Sequence, residues 1–420
     1  MDILVIGAGA REHSLVWKLS KSSRVTKLYA APGNGGTGLI AENIDVRPTD
    51  LVALKEAAKQ KSIDLVVVGP EAPLASGIVD MFQEEGIPIF GPTSEATKIE
   101  SSKVFAKDLM QKYGIPCAKS VSFSSFRAAY DYAGAQPVPV VVKADGLAAG
   151  KGAVVAHSRD EALSAVSSMM QDRTLGSAGD RVVIEECLVG KEVSLLAFTD
   201  GSTVIPMVPA CDYKRVFDGD EGPNTGGMGA YSPPGFLDAD MTDTVRETVL
   251  EPVVRAMAEE GKPYRGVLYA GLMLTEEGPK VLEFNARFGD PENQVMMPRL
   301  DSDLVEVMLA VVHGELDRCE VKWSAEACVG VVMASGGYPG SYVTGFPIAG
   351  LDRVDDGVFV FHAGTQSDGA VVRTDGGRVL TVAARGKDMA TARDRVYDNV
   401  TRINFQGCHY RKDIALREVS

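Results

Sequence analysis

The chain has 420 residues, with 43 Lys and Arg against 57 Asp and Glu, giving a formal charge of −14. A single core stops growing near ~250–300 residues, so two or more domains are implied; 45% hydrophobic and 24% charged residues exclude a disordered chain. The acidic excess argues against a nucleic-acid partner, yet small anions stay possible, because loops and helix N-termini bind phosphate whatever the net charge.

The six cysteines are scattered, without a Cys-x-x-Cys, as expected of reduced thiols in a cytoplasmic protein. Met1 runs directly into the strand pattern Asp2–Ile6, so no secretion signal is expected. Apolar runs fall short of the ~20 residues of a membrane span, so no membrane association is expected.

Through residue 100, short apolar runs (Ile3–Ile6, Lys27–Ala31, Leu65–Val68, Ile87–Phe90) alternate with helix-period segments (Arg11–Lys21, Leu51–Lys61). This predicts a Rossmann-like parallel sheet with crossover helices, its ligands at the carboxyl ends of the strands. The first turn, Gly7-Ala8-Gly9-Ala10-Arg11-Glu12-His13, approaches a dinucleotide fingerprint. Glu12, however, stands where the third glycine belongs, and the second strand ends in Ala31-Pro32-Gly33-Asn34 without an acid for a ribose. A nicotinamide cofactor is disfavoured, and an anion site for another phosphorylated ligand is the favoured reading.

Lys103–Tyr113 reads as an amphipathic helix ended by Gly114-Ile115-Pro116. The strand 137–143 then leads through Ala144-Asp145-Gly146-Leu147-Ala148-Ala149-Gly150-Lys151-Gly152 into a second strand, Ala153–Ala156. A Walker loop passes from strand to helix and ends in Lys-Ser/Thr; this one returns to a strand, with Gly152 after Lys151. Its amides, with Lys143 and Lys151, still suit a polyphosphate. The next strand, Arg181–Leu188, carries Glu185 and Glu186 on opposite faces. A Gly/Pro-rich loop over 222–233, near Asp212 and Lys214, reads as backbone shaped around a ligand.

The strand over 280–288 is the most informative. Alternation predicts Leu282, Phe284, Ala286 and Phe288 on the core face and Glu283, Asn285 and Arg287 opposite them. A carboxylate and an amide oxygen two residues apart suit Mg²⁺ that shares its shell with phosphates. Asp290 and Glu292 follow in a turn, then a helix over Leu304–His313. From about 326 onward, strands and a helix predict a small α+β packing domain without catalytic residues. The five histidines are dispersed, which leaves little basis for a His-based metal site or hydrolytic triad.

Gly9-Ala10-Arg11-Glu12-His13, Ala31-Pro32-Gly33-Asn34, Val68 to Leu74, Lys143 to Gly152, Pro223 to Ser232 and above all Arg287-Phe288-Gly289-Asp290-Pro291-Glu292 resemble the glycinamide ribonucleotide synthetase family of ATP-grasp enzymes, over nearly the whole chain. The resemblance implies three domains: an N-terminal Rossmann-like domain (1–100), an ATP-grasp domain (101–325) with a mobile lid inserted at about 121–188, and a C-terminal α+β domain (326–420). It implies ATP-driven joining of phosphoribosylamine to glycine through a glycyl phosphate, in purine biosynthesis.

Under the same resemblance, Glu283 and Asn285 hold Mg²⁺ or Mn²⁺. Lys103, Lys143, Gly150, Lys151 and Gly152 grip the phosphates of ATP; Glu185, Glu186 and Leu188 form a hinge that meets adenine through backbone groups; Glu192 accepts from ribose. Arg287, Asp290 and Lys143 are the expected catalytic residues. Arg11, Asn34 and Glu71 are expected to hold the phosphoribosyl group, Arg287 with Asp290 and Glu292 to orient the glycyl phosphate and the incoming amine, and Asp212, Lys214 and the 223–230 loop, with Gly226 and Gly227, to complete the acceptor pocket. No obligate protein partner is expected. Tyr213 stands where family members usually carry His, and the strand over 266–274 offers no further acidic metal ligand. The chain ends after the third region, so fused extra activities are expected to be absent. Two rivals remain: an ATP-grasp ligase for another acid or amine, and a non-catalytic nucleotide-binding protein.

Overall fold

The computed structural model describes residues 1–147 and 152–419. The amino-terminal sheet is parallel, its five strands ordered Glu42–Asn43, Lys27–Pro32, Asp2–Gly7, Leu65–Val68, Ile89–Phe90. Its central strands are buried on both faces, as their unbroken apolar runs require.

Glu12 explains why the first turn departs from a dinucleotide fingerprint. Its carboxylate is buried, accepts from the Gly9 amide at 2.6 Å and pairs with Arg11 Nε at 2.6 Å. A Cβ at Gly7 or Gly69 would come within 2.4 or 2.1 Å of this side chain. A carboxylate from the first turn of the helix thus already faces its N-terminus.

A four-stranded sheet forms the middle of the molecule, in the order Val204–Pro206, Lys191–Thr199, Gly266–Thr275, Gly278–Asn285. A second four-stranded sheet, Ser120–Phe123, Val182–Glu186, Val140–Ala144 and Ala153–Ala156, carries the helices Phe126–Ala135 and Arg159–Val166 over its own apolar core. The third sheet contains Ala327–Ala334, Arg378–Gly386 and Val358–His362, but also Cys211–Asp212 and Gly229–Ser232. Two of its five strands therefore come from the middle of the chain, so this layer reaches directly into the ligand loop.

One strand differs from its predicted pattern. The strand Gly278–Asn285 has a bulge: Leu272 faces Val281 and Gly271 faces Glu283, leaving Leu282 as the extra residue. Val281 and Phe284 consequently share the core, while Leu282 is only half-buried. The alternation assigned to Leu282 is corrected, and that of Glu283 and Asn285 against Phe284 stands. The strand also ends at Asn285, so Arg287 lies in the bend beyond it.

Candidate active site

The cleft between the two four-stranded sheets gathers most of the predicted cations. Lys143, on Val140–Ala144, donates to the Leu282 carbonyl at 3.0 Å and pairs with Glu185. Lys103, at the start of the helix Lys103–Tyr113, donates to the Gly146 carbonyl at 3.0 Å. Burial lowers its pKa, with Glu283 opposing that shift. Gly152 closes the hairpin by accepting from the Ala144 amide at 2.8 Å. Gly150 and Lys151 lie outside the described residues.

Glu283 is open to the cleft. Its desolvated surroundings push the carboxyl upward, and Lys143, Lys214, Lys103 and Arg287 outweigh that, holding it below the usual range. Asn285 is buried, and its Oδ1 accepts from Arg287 Nη2 at 3.2 Å, which leaves a lone pair free. Among the described residues no group of three or more His, Cys, Asp or Glu could cage a metal. Two hard oxygens in an open cleft fit instead a divalent ion that draws the rest of its shell from phosphate and water.

Glu185 keeps its side chain out of the cleft. Its side chain is buried between Lys143 and Lys107, the latter at 2.6 Å, so only its backbone can meet a ligand. Glu186 is exposed and caps the Lys119 amide at 2.9 Å, and half-buried Leu188 follows the strand end. Glu192 pairs with Lys214, which also reaches Asp212 Oδ1 at 3.2 Å. Burial works against the charge of Lys214, and the two acids overcome it, so its pKa lies well above the lysine range.

Arg287 lies 3.5 Å from both Glu71 and Glu100. Burial raises the Glu71 carboxyl, but Arg287 and Arg11 prevail and hold it low; Glu100, more deeply enclosed, is shifted upward despite Arg287. Arg11 pairs with Glu12 through Nε and donates from Nη1 to the Phe288 carbonyl at 3.3 Å. The Asn34 amide is committed, donating to Ala8 O at 2.8 Å and His362 O at 2.7 Å and accepting from the Gly36 and Thr37 amides. The Asn34 side chain thereby shapes the cleft wall, while Arg11 keeps guanidinium donors beyond its two contacts.

The largest omission in the sequence reading is the third segment, where no site residue is expected. Arg378 donates to Asp290 Oδ2 and Asp290 O, both at 2.9 Å, and to Gly226 O at 2.7 Å. Gln294 holds the other oxygen of Asp290 at 2.7 Å, and Tyr338 accepts from the Gly226 amide at 3.1 Å. Gly227, at φ +112°, passes so near Pro291 that a Cβ would lie 2.4 Å from it. His362 donates its amide to His13 Nδ1 at 2.8 Å. The glycine pair at 376–377 before Arg378 is the one local signal that could have marked this turn. Glu292 accepts from Tyr269 at 2.5 Å and from Ser194 at 3.2 Å, and neither hydroxyl was singled out in the sequence.

Two sheets closing a lysine-rich cleft over a carboxylate–amide pair define an ATP-grasp enzyme. The biotin carboxylase from Campylobacter jejuni, solved with β,γ-ATP, shares the fold at a TM-score of 0.77 and 16% identity, over 99% of this chain and 94% of that one. Residues 1–100, 101–293 and 328–417 match the phosphoribosylglycinamide synthetase N domain, ATP-grasp (A) domain and C domain. The chain belongs to the phosphoribosylglycinamide synthetase family. It is 49% identical to the phosphoribosylamine–glycine ligase of Halalkalibacterium halodurans, over 100% of this chain and 98% of the relative. The crystal structure of the phosphoribosylamine–glycine ligase from Thermotoga maritima matches at a TM-score of 0.85 and 31% identity, covering 99% of this chain and all of that one.

Proposed function

We propose that the protein joins 5-phosphoribosylamine to glycine at the expense of ATP, giving glycinamide ribonucleotide, ADP and phosphate. The observation that carries this reading is the setting of Glu283: one open carboxylate, beside the Asn285 oxygen, among Lys103, Lys143, Lys214 and Arg287. Amide formation in water requires carboxylate oxygen to become a leaving group, and phosphoryl transfer to that oxygen is governed by positioning and charge neutralisation.

In this reading Glu283 and Asn285 hold Mg²⁺ or Mn²⁺, which when bound neutralises charge on the transferring phosphoryl group. Lys103 and Lys143 tie the hairpin to the central strand and place two ammonium groups along the phosphates. The backbone after Glu186 meets the adenine, and Glu192 the ribose. Arg287, braced by Glu71 and Glu100, orients the acyl phosphate. Asp290 and the 226–227 backbone, both held by Arg378, form the wall for the phosphoribosylamine. No side chain is required as a base, because that substrate brings a free amine. Among the described residues no helix is long and apolar enough to cross a membrane, and a cytoplasmic location with small-molecule partners belongs to the same proposal.

The deciding experiment is ADP release with glycine and freshly generated phosphoribosylamine, each omitted in turn. Release that requires both supports the reading. Release driven by another acid or amine reassigns the enzyme within the ATP-grasp ligases.

A further inference from the structure

Three buried charges are linked side by side at the lid sheet, and only one of them, Lys143, has a part in the reaction proposed above. Lys143 and Glu185 are diagonal neighbours on one face, since Val141 stands opposite Glu185 and Val183 opposite Lys143. The Glu185 carboxylate pairs with Lys143 through Oε1 and with Lys107 through Oε2, the latter at 2.6 Å. Lys107, Glu185 and Lys143 are 3%, 2% and 7% exposed. Lys107 belongs to the helix Lys103–Tyr113 and lies one turn beyond Lys103, on the same side of it.

An ammonium group this deeply buried is destabilising unless it is paired, and Glu185 is the one ionic partner of Lys107 among the described residues. Their contact is not aligned as a hydrogen bond, so attraction between charges holds it. Lys143 has a second partner in the Leu282 carbonyl at 3.0 Å, on the strand that carries Glu283. One carboxylate therefore serves two ammonium groups, of which only Lys143 also reaches the central strand.

The consequence falls on nucleotide binding. Lys143 can give its charge to a phosphate only by loosening its hold on Glu185, and a buried carboxylate left alone is strongly destabilising. With Lys107 in place, that carboxylate keeps a counter-ion throughout. We propose that Lys107 is a positioning residue for ATP: as the standing counter-ion of Glu185 it releases Lys143 to the phosphates. Lys107 acts on the nucleotide only through Glu185 and Lys143. This rests on the phosphate role given to Lys143 above and adds the residue that governs it.

The test is calorimetric binding of ATP with Mg²⁺, which needs neither glycine nor phosphoribosylamine, with thermal melting as a check on folding. Lys107→Met keeps the length of the side chain and removes its charge, and should weaken ATP binding about 10- to 100-fold, the scale of one charged hydrogen bond. Lys107→Arg restores the charge and should recover most of that loss. The decisive variant combines Lys107→Met with Glu185→Gln. No carboxylate then retains Lys143, so ATP affinity should return to within about tenfold of wild type, whereas a merely structural Lys107 would make the two losses add. Wild-type affinity in Lys107→Met, or a double variant that binds as weakly as Lys107→Met or more weakly, overturns the assignment. Should Lys107→Met fail to fold, the double variant decides alone: affinity within about tenfold of wild type supports the role, and a greater loss overturns it. Unchanged ATP affinity in Lys143→Met would remove the phosphate role of that lysine and this inference with it. Absence of glycine-dependent ADP release from the wild-type enzyme would overturn the ligase reading and leave the binding result standing.

Discussion

Replacing Arg378 by Gln isolates what the carboxyl-terminal segment contributes to the ligand pocket. The guanidinium joins Asp290 Oδ2, Asp290 O and Gly226 O at 2.7–2.9 Å, so its loss leaves a carboxylate and two carbonyls short of donors. Removing one partner of a fully buried pair costs ~3–5 kcal/mol. Here the side chains are 22% and 17% exposed, so solvent recovers part of the loss, and about 2–3 kcal/mol is the appropriate range. Gln294 continues to hold Oδ1, which keeps the loss local. If it is expressed in the transition state, kcat/KM for phosphoribosylamine falls about 30- to 150-fold, at ~1.4 kcal/mol per tenfold. Burial raises the Asp290 carboxyl, and Arg378 with Arg11 more than offsets it, so its folded pKa lies below the usual range. The stability this gives is present above the unfolded pKa and lost as pH falls through the folded one. Without Arg378 that pKa rises, and the acid limb of the rate profile should move to higher pH. Initial rates across pH, with calorimetric ATP binding as the control, measure both effects. A variant with kcat/KM within about twofold of wild type and an unmoved acid limb would refute the clamp.

Glu283→Ala should lower turnover at least ~10²-fold, the scale of losing one strong electrostatic contact. Rapid-quench measurement of phosphoryl transfer checks this, and full retained turnover would reject the metal assignment. The His13–His362 contact should make the seam between the first and third sheets acid-sensitive. Burial, then His362, holds His13 down at about 3, and burial holds His362 at about 4. Both are neutral in the fold, and the unfolded chain takes up these protons first, so stability falls as pH drops below ~6.5 toward those values. His13 Nδ1 must stay unprotonated to accept the His362 amide. Urea midpoints between pH 7 and pH 4 should decline more steeply for wild type than for His13→Gln; identical slopes would sink the assignment.

What could be read from the chain, and what could not, follows from the range of the forces involved. The helices Lys103–Tyr113 and Leu304–His313 appear with their predicted bounds, because 3.6-residue periodicity and a closing glycine, Gly114 or Gly314, are local. The pairing of Glu283 with Asn285 is equally local, since alternation puts both on the side opposite Phe284. Leu282 escaped because a bulge is set by the partner strand at Gly271 and Leu272. The alternation of Glu185 and Glu186 was legible, but only packing decides which face is covered, and it is Lys107 on the neighbouring helix that covers Glu185.

Arg378 lies 88 residues from the Asp290 it holds, and Tyr338 lies 112 from Gly226, so no spacing rule connects either pair. The physical reason such partners sit in the third segment is that the 223–233 loop has few side chains of its own to fix it. Glycine gives that loop the conformation it needs at Gly227 and removes the side chains that would hold it there. The strand Gly229–Ser232 then docks into the third sheet, so Arg378 on that sheet, with Tyr338 in the turn after Ala334, holds the loop by its backbone. A segment with no catalytic group of its own thereby sets the geometry of the pocket, and its contribution should register in the binding of the acceptor rather than of ATP.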